Sequence, residues 1–264
     1  MSRISTTFKK LKTENRKGLI TFIMGGDPDF NSSVEILKSM PAAGADIIEI
    51  GMPFSDPVAD GEIIQRAGIR ALASGMTLKK VLEMVRIFRE DNQYTPIVLM
   101  GYSNPIHAYT EELFFKDAAT AGVDGVLIVD TPPEEGTLLV KYAKSNNIDI
   151  IRLATPTTDN QRIHKITDGA DGFLYYVSIA GVTGTASADI TTVKAHITEL
   201  KKETDLPIAI GFGIKTPQDA KEMSTIGDAV VVGSALIQTI ESSEKDQVIE
   251  KLSTQIRALS NALV

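Results

Sequence analysis

Gly44-Ala45-Asp46-Ile47-Ile48-Glu49-Ile50-Gly51 reads as a helix stop, a strand start and a short strand in immediate succession. Gly44 is placed to end a helix in the left-handed conformation, which glycine adopts without a Cβ clash. Asp46 opens an apolar run whose Ile-rich character suits a strand buried on both faces, as in a parallel sheet. The same phrase returns before later apolar runs as Gly122-Val123-Asp124, Gly169-Ala170-Asp171 and Gly227-Asp228. Each glycine is expected to be a left-handed cap, and each aspartate to open a strand on one side of the sheet.

Counting outward from this phrase, apolar runs fall at 19–24, 47–51, 96–101, 125–129, 149–153, 172–177, 207–211 and 229–233. The Gly-x-Asp phrase precedes the even-numbered runs, while Thr95-Pro96-Ile97 and Leu206-Pro207-Ile208 lead into the third and seventh. Between the runs lie helical patterns at 32–42, 78–92, 111–121, 134–146, 160–167, 190–204, 216–226 and 246–262, with a further helix expected at about 6–14. Strand alternating with helix implies right-handed βαβ units, and eight of them make a (β/α)8 TIM barrel with an extra N-terminal helix. An open doubly wound sheet is the competing architecture, but no edge strand is evident. The 264 residues contain no Pro/Gly/Ser-rich linker, so residues 1–264 are read as a single TIM-barrel domain.

Composition narrows the function. A net charge of −7 without a basic stripe argues against a nucleic-acid partner. The absence of cysteine removes disulfides, thiol nucleophiles and thiolate metal sites. No apolar run reaches membrane-spanning length and the N-terminus lacks a signal core, so a soluble, cytoplasmic protein is expected.

Glu49 is out of place in its run. A carboxylate inside a buried strand must be paired, protonated or used. The loop that follows, Met52-Pro-Phe-Ser-Asp-Pro-Val-Ala-Asp60-Gly, is stiffened by Pro53 and Pro57 and returns two further acids, Asp56 and Asp60. Glu49 with Asp60 is a candidate general acid/base pair; the alternative is a buried glutamate satisfied by backbone amides beside two turn aspartates. In a barrel of this type the site lies at the C-terminal ends of the strands. Gly211-Phe212-Gly213 after the seventh run and Gly233-Ser234-Ala235, leading into a short helix after the eighth, suit a phosphate site; the alternative is that they only permit tight turns. The small, polar stretch 178–189 after the sixth run suits either a closing lid or an ordinary solvent loop.

Other chemistries are disfavoured. His107, His164 and His196 stand alone without metal-ligand spacing, so no metal is expected. No lysine interrupts an apolar run as a Schiff base would require, and Lys215 is read as the start of a surface helix. There is no G-x-S-x-G elbow, Walker loop or G-x-G-x-x-G fingerprint. Met84 and Phe88 are read as packing onto the barrel. Carboxylate acid/base chemistry on a phosphorylated substrate remains.

Pro53-Phe-Ser-Asp-Pro-Val-Ala-Asp-Gly61 closely resembles the signature loop of the tryptophan synthase alpha chain family. Gly25-Gly26-Asp27-Pro28, Gly101-Tyr-Ser-Asn-Pro105, Tyr175-Tyr-Val-Ser178, Gly181-Val-Thr-Gly184 and Gly211-Phe-Gly-Ile214 also resemble it, in order over nearly the whole chain. The resemblance implies a TIM barrel that cleaves indole-3-glycerol phosphate to indole and glyceraldehyde 3-phosphate in L-tryptophan biosynthesis. It implies a PLP-dependent beta chain as partner in an α2β2 heterotetramer, and no cofactor in the alpha chain itself. By the same resemblance Glu49 is the general acid/base and Asp60 holds the indole N–H. Gly184, Gly213, Gly233 and Ser234 bind phosphate. Phe22, Met100, Tyr102, Tyr175 and Phe212 wall the indole pocket, and Thr183 meets Asp60 on lid closure. Pro53, Asp56 and Pro132 face the beta chain. The chain departs from the family at Thr21 and Glu62, where proline is common, and at Ser178-Ile179-Ala180; Glu62 is expected to add charge beside Asp60. A stand-alone indole-releasing lyase and a weak barrel that mainly activates the beta chain are the alternatives.

Overall fold

The computed structural model describes residues 2–158, 160–177, 190–211 and 213–264, and only the backbone of residues 160 and 161. Eight parallel strands close into a barrel in chain order: β1 (Gly18–Met24), β2 (Ile47–Gly51), β3 (Ile97–Gly101), β4 (Gly125–Ile128), β5 (Asp149–Ala154), β6 (Leu174–Val177), β7 (Ile208–Gly211) and β8 (Ala229–Val232). The ring closes where β8 pairs with β1, Gly18 opposite Ala229. Among the described residues twelve helices accompany them: α1 (Arg3–Thr13), α2 (Phe30–Ala43), α3 (Glu62–Ala73), α4 (Leu78–Asp91), α5 (Ser103–Tyr109), α6 (Glu111–Ala121), α7 (Thr137–Ser145), α8 (Asn160–Thr167), α9 (Ile190–Glu203), α10 (Pro217–Ser224), α11 (Ser234–Ser242) and α12 (Val248–Asn261). None is long and apolar enough to cross a membrane.

Period-two alternation sorts the strand side chains into two cores. On β2, Ile47 joins the barrel interior with Ile20, Val98, Leu127, Ile151 and Phe173. Ile48 and Ile50 point outward to the helices, where Met84 and Phe88 of α4 are also buried. Helix α1 turns Ile4, Phe8 and Leu11 into the same interior cluster and closes the bottom of the barrel.

The repeated aspartates are clasps between strands. The backbone N–H groups of Asp46, Asp124, Asp171 and Asp228 donate to the carbonyls of Leu19, Ile97, Ile150 and Ile208, each on the preceding strand. Three of the carboxylates return the bond, accepting from Leu19 N at 2.8 Å, Ile97 N at 2.8 Å and Ile208 N at 2.9 Å. Cations then hold the carboxylates: Arg16 on Asp46, Arg89 and Arg3 on Asp124, and Lys201 on Asp228. Asp46→Ala is therefore expected to cost about 1–3 kcal/mol in urea unfolding, because a strand-opening N–H and Arg16 both lose a charged partner. A loss below about 0.5 kcal/mol, the range of an ordinary surface change, would show that the clasp is dispensable.

The preceding glycines behave as expected at three positions, with φ of 113° at Gly44, 95° at Gly122 and 75° at Gly169. Gly227 is a correction: it is not left-handed. A Cβ there would lie 2.9 Å from the Ile210 side chain and 3.1 Å from Ala229 O, so close packing rather than a positive φ requires glycine.

Candidate active site

Glu49 shares the inward face of β2 with Ile47 and stands level with Phe22 of β1 and Val98 of β3. It is completely buried, and neither carboxylate oxygen has a hydrogen-bond partner. The backbone amides that would have made it a satisfied core glutamate are absent from it. Burial alone pushes its pKa up from 4.5 to about 8, so at neutral pH the carboxyl carries a proton. Tyr175, inward on β6, has its phenol held well above the usual value by burial first, and then by Glu49 once that carboxyl ionises at alkaline pH.

Asp60 arrives on the β2–α3 loop. Met52 N donates to Met100 O at 2.8 Å, which fastens the start of the loop to β3, and Asp60 N donates to Pro57 O at 3.1 Å. Tyr102, capping α5, fixes the far side. Its hydroxyl accepts from Ala59 N at 3.0 Å, and its ring lies against Phe54 with centroids 5.4 Å apart. Burial raises the Asp60 pKa and the nearby Tyr102 hydroxyl opposes that rise. The phenol itself is pushed up to about 12, first by burial and then by Asp60. Through its bond to Ala59 N, Tyr102 thus holds the chain beside Asp60, a role that no spacing in the sequence indicated.

Glycines at the strand ends make room for the aromatic walls. A Cβ at Gly51 would lie 2.7 Å from Phe22 Cζ, and one at Gly233 would lie 3.3 Å from Phe22 Cβ. A Cβ at Gly211 would collide with the Tyr175 ring. Gly211 was legible only as a turn glycine and Gly51 only as the end of an apolar run; their contacts give them a spatial role. Met100, on the inward face of β3, packs beside the interior cluster. Gly213 sits at φ 68° with open space where a side chain would project, so its backbone is approachable. Gly233 caps α11 and the exposed Ser234 begins it, leaving the first N–H groups of that helix without intrahelical acceptors. Thr183, Gly184 and Phe212, with the rest of the 178–189 stretch, lie outside the described residues.

Pro53 and Pro132 are partly exposed and Asp56 is exposed, all on loops at this end of the barrel. Glu62, which begins α3 two residues after Asp60, pairs with Arg66 at 2.7 Å, and Arg66 also pairs with Glu241 of α11 at 2.9 Å. Thr21 is buried, its hydroxyl 3.4 Å from Ile47 O. The histidines are not alone, since His107 pairs with Glu111, His164 with Glu203 and His196 with the Tyr176 hydroxyl. No cluster of three or more metal-ligating side chains occurs among the described residues.

Barrels of this construction work at the face where the strands end. This one places there a proton-bearing carboxyl, a second carboxylate and an open helix N-terminus, the architecture of a TIM-barrel enzyme. A family model described as tryptophan synthase alpha chain matches residues 8–264, and the chain belongs to that family. It is similar over 100% of its length to 98% of the tryptophan synthase alpha subunit of Legionella pneumophila strain Paris, at 38% identity and a TM-score of 0.93. A structure from Aquifex aeolicus VF5 is 35% identical with a TM-score of 0.91, covering 100% of this chain and 99% of that one. Tryptophan synthase of M. tuberculosis in an aminoacrylate-bound form is 27% identical with a TM-score of 0.90, each chain covered at 100%. The chain is accordingly of the alpha-subunit type, in the enzyme of tryptophan synthesis.

Proposed function

We propose that the chain cleaves indole-3-glycerol phosphate to indole and glyceraldehyde 3-phosphate by a retro-aldol step, in the cytoplasm, as the alpha subunit of an α2β2 complex. The observation that carries this reading is the buried, unpartnered carboxyl of Glu49 in the barrel interior. Carbon–carbon cleavage at indole C3 requires the ring to be protonated there first, which leaves a cationic indolenine nitrogen. Glu49, protonated by its burial, donates to C3 and then takes the hydroxyl proton as the aldehyde forms. Asp60 accepts the indole N–H and stabilises the developing cation. Phe22, Met100, Tyr102, Tyr175 and Phe212 enclose the ring, and Thr183 closes on Asp60. Gly184, Gly213, Gly233 and Ser234 hold the phosphate, whose binding energy fixes the reacting bond in place. The scheme uses no metal and no cofactor of this chain; PLP belongs to the beta chain. Indole release from indole-3-glycerol phosphate, with and without a beta chain, tests the reading. No release in either case would end it.

Pro53, Asp56 and Pro132 are proposed to meet the beta chain. The segment 53–61 carries both Asp56 and Asp60, so a partner pressing on it shifts Asp60 toward its working position. Coupling of this kind is typically about 5- to 150-fold. Asp56→Ala is expected to reduce activation by the beta chain more than basal indole release. Equal losses in the two assays would mean that the loop does not carry the coupling.

A further inference from the structure

We propose that a cleft on the outer wall of the barrel, between β5, the β4–α7 loop and α8, binds a small organic carboxylate with an apolar body, held by Arg152. The alternation of β5 sends Ile151 to the interior and Arg152 outward, so Arg152 stands on the face of β5 away from Glu49, while Val129, Ile151 and Leu153 of the interior side also border the cleft. Arg152 is 7% exposed, and its Nε has no hydrogen-bond partner. Nη1 makes one long contact, 3.3 Å to Thr131 O. Gly136 gives the guanidinium its room, because a Cβ there would lie 2.7 Å from Nη2. The cleft beside it has a volume of about 360 Å³, with Ile128, Pro132, Pro133 and Ile166 among its walls and Thr155 and Thr158 also lining it.

The nearby acids are already engaged. Asp130 accepts from Ser103 N at 2.8 Å and from Ser103 Oγ at 2.9 Å. Glu134 is shared by Arg162 at 3.4 Å and Lys165 at 3.6 Å. Burial draws the Arg152 pKa down, and Glu134 only partly offsets it. A guanidinium taken out of water without a counter-charge is costly, and an anion at Nε would relieve that cost. The planar fork matches a carboxylate, whereas Asp130 on the wall and the pairing of Arg162, also on the wall, with Glu134 leave too little positive charge for a phosphate dianion. The apolar walls fit a hydrocarbon or aromatic body.

The test uses the isotope-labelled full chain and amide NMR, with phenylacetate, phenylacetamide and inorganic phosphate as probes. Phenylacetate is expected to give saturable shifts at Thr131, Gly136, Thr158 and Ile166. Phenylacetamide and phosphate are expected to leave those amides in place. Arg152→Met should weaken phenylacetate binding by more than about tenfold, and Glu49→Gln should not affect it. Absence of saturable shifts, equal binding of phenylacetamide, phosphate binding in the cleft, retained affinity in Arg152→Met, or shifts confined to Gly233 and Ser234 would each overturn the proposal. The comparison of phenylacetate with phenylacetamide on the parent chain decides the matter even if Arg152→Met fails to fold.

Discussion

Glu49→Gln is expected to lower indole release by at least about a hundredfold while leaving the barrel folded. Glutamine fills the same volume on β2 but cannot carry a proton to C3 and take one back. The pKa of Glu49 adds a signature that a glutamate satisfied by backbone amides would not show. Burial raises it from 4.5 to about 8, so the folded chain keeps a proton that the unfolded chain has released. The stability linked to that proton is complete below about pH 4.5 and is lost as pH rises through about 8. Glutamine does not titrate. The variant should therefore gain stability over the parent as pH rises, on the order of 3 kcal/mol by pH 7 at about 1.4 kcal/mol per unit. Urea midpoints at several pH values check this beside the activity assay. Release within tenfold of the parent sinks the catalytic role. Parallel stability profiles would remove the raised pKa on which that role depends.

The barrel was legible because its signals are redundant. Apolar runs, glycine stops and strand-opening aspartates all agree, and the runs match the strands to within a residue or two at most ends. Helices α3 and α5 were not legible. Gly68 inside α3 and Pro105 in the first turn of α5 weaken the local pattern, and packing overrides that weakness. Gly227 shows the limit of a repeat, since the same letter serves packing in one copy and backbone conformation in the others. Within the site, Glu49 stood out as a charge in an apolar strand. The identical signal in Ile150-Ile151-Arg152-Leu153 passes unnoticed unless the strand alternation is followed residue by residue. The Tyr102–Ala59 bond joins the start of α5 to the β2–α3 loop, and nothing in a linear pattern encodes that meeting. The partner of Glu62 was hidden for the same reason, because Arg66 is one helical turn away and faces it only once α3 forms.

Asp60→Asn is expected to lose about 10²–10³ in kcat, the range for removing a preorganised group that stabilises transition-state charge, with substrate still bound. The geometry separates the two effects. The loop is positioned by Tyr102 on Ala59 N, by the Phe54–Tyr102 contact and by Met52 on β3, none of which needs the Asp60 charge. The loop therefore keeps its pose in the asparagine variant. What disappears is the negative charge opposite the indolenine nitrogen. Titration calorimetry with indole-3-glycerol phosphate should then give an affinity close to the parent's while turnover fails. Tyr102→Phe removes the bond to Ala59 N that positions Asp60 but leaves the charge, so it should cost less in kcat and more in KM. Because Tyr102 acts through Asp60, adding Tyr102→Phe to Asp60→Asn should cost less in kcat than Tyr102→Phe does alone. If Asp60→Asn abolishes binding, Asp60 is a binding residue. If the two costs simply add, Tyr102 does not work through Asp60 at all.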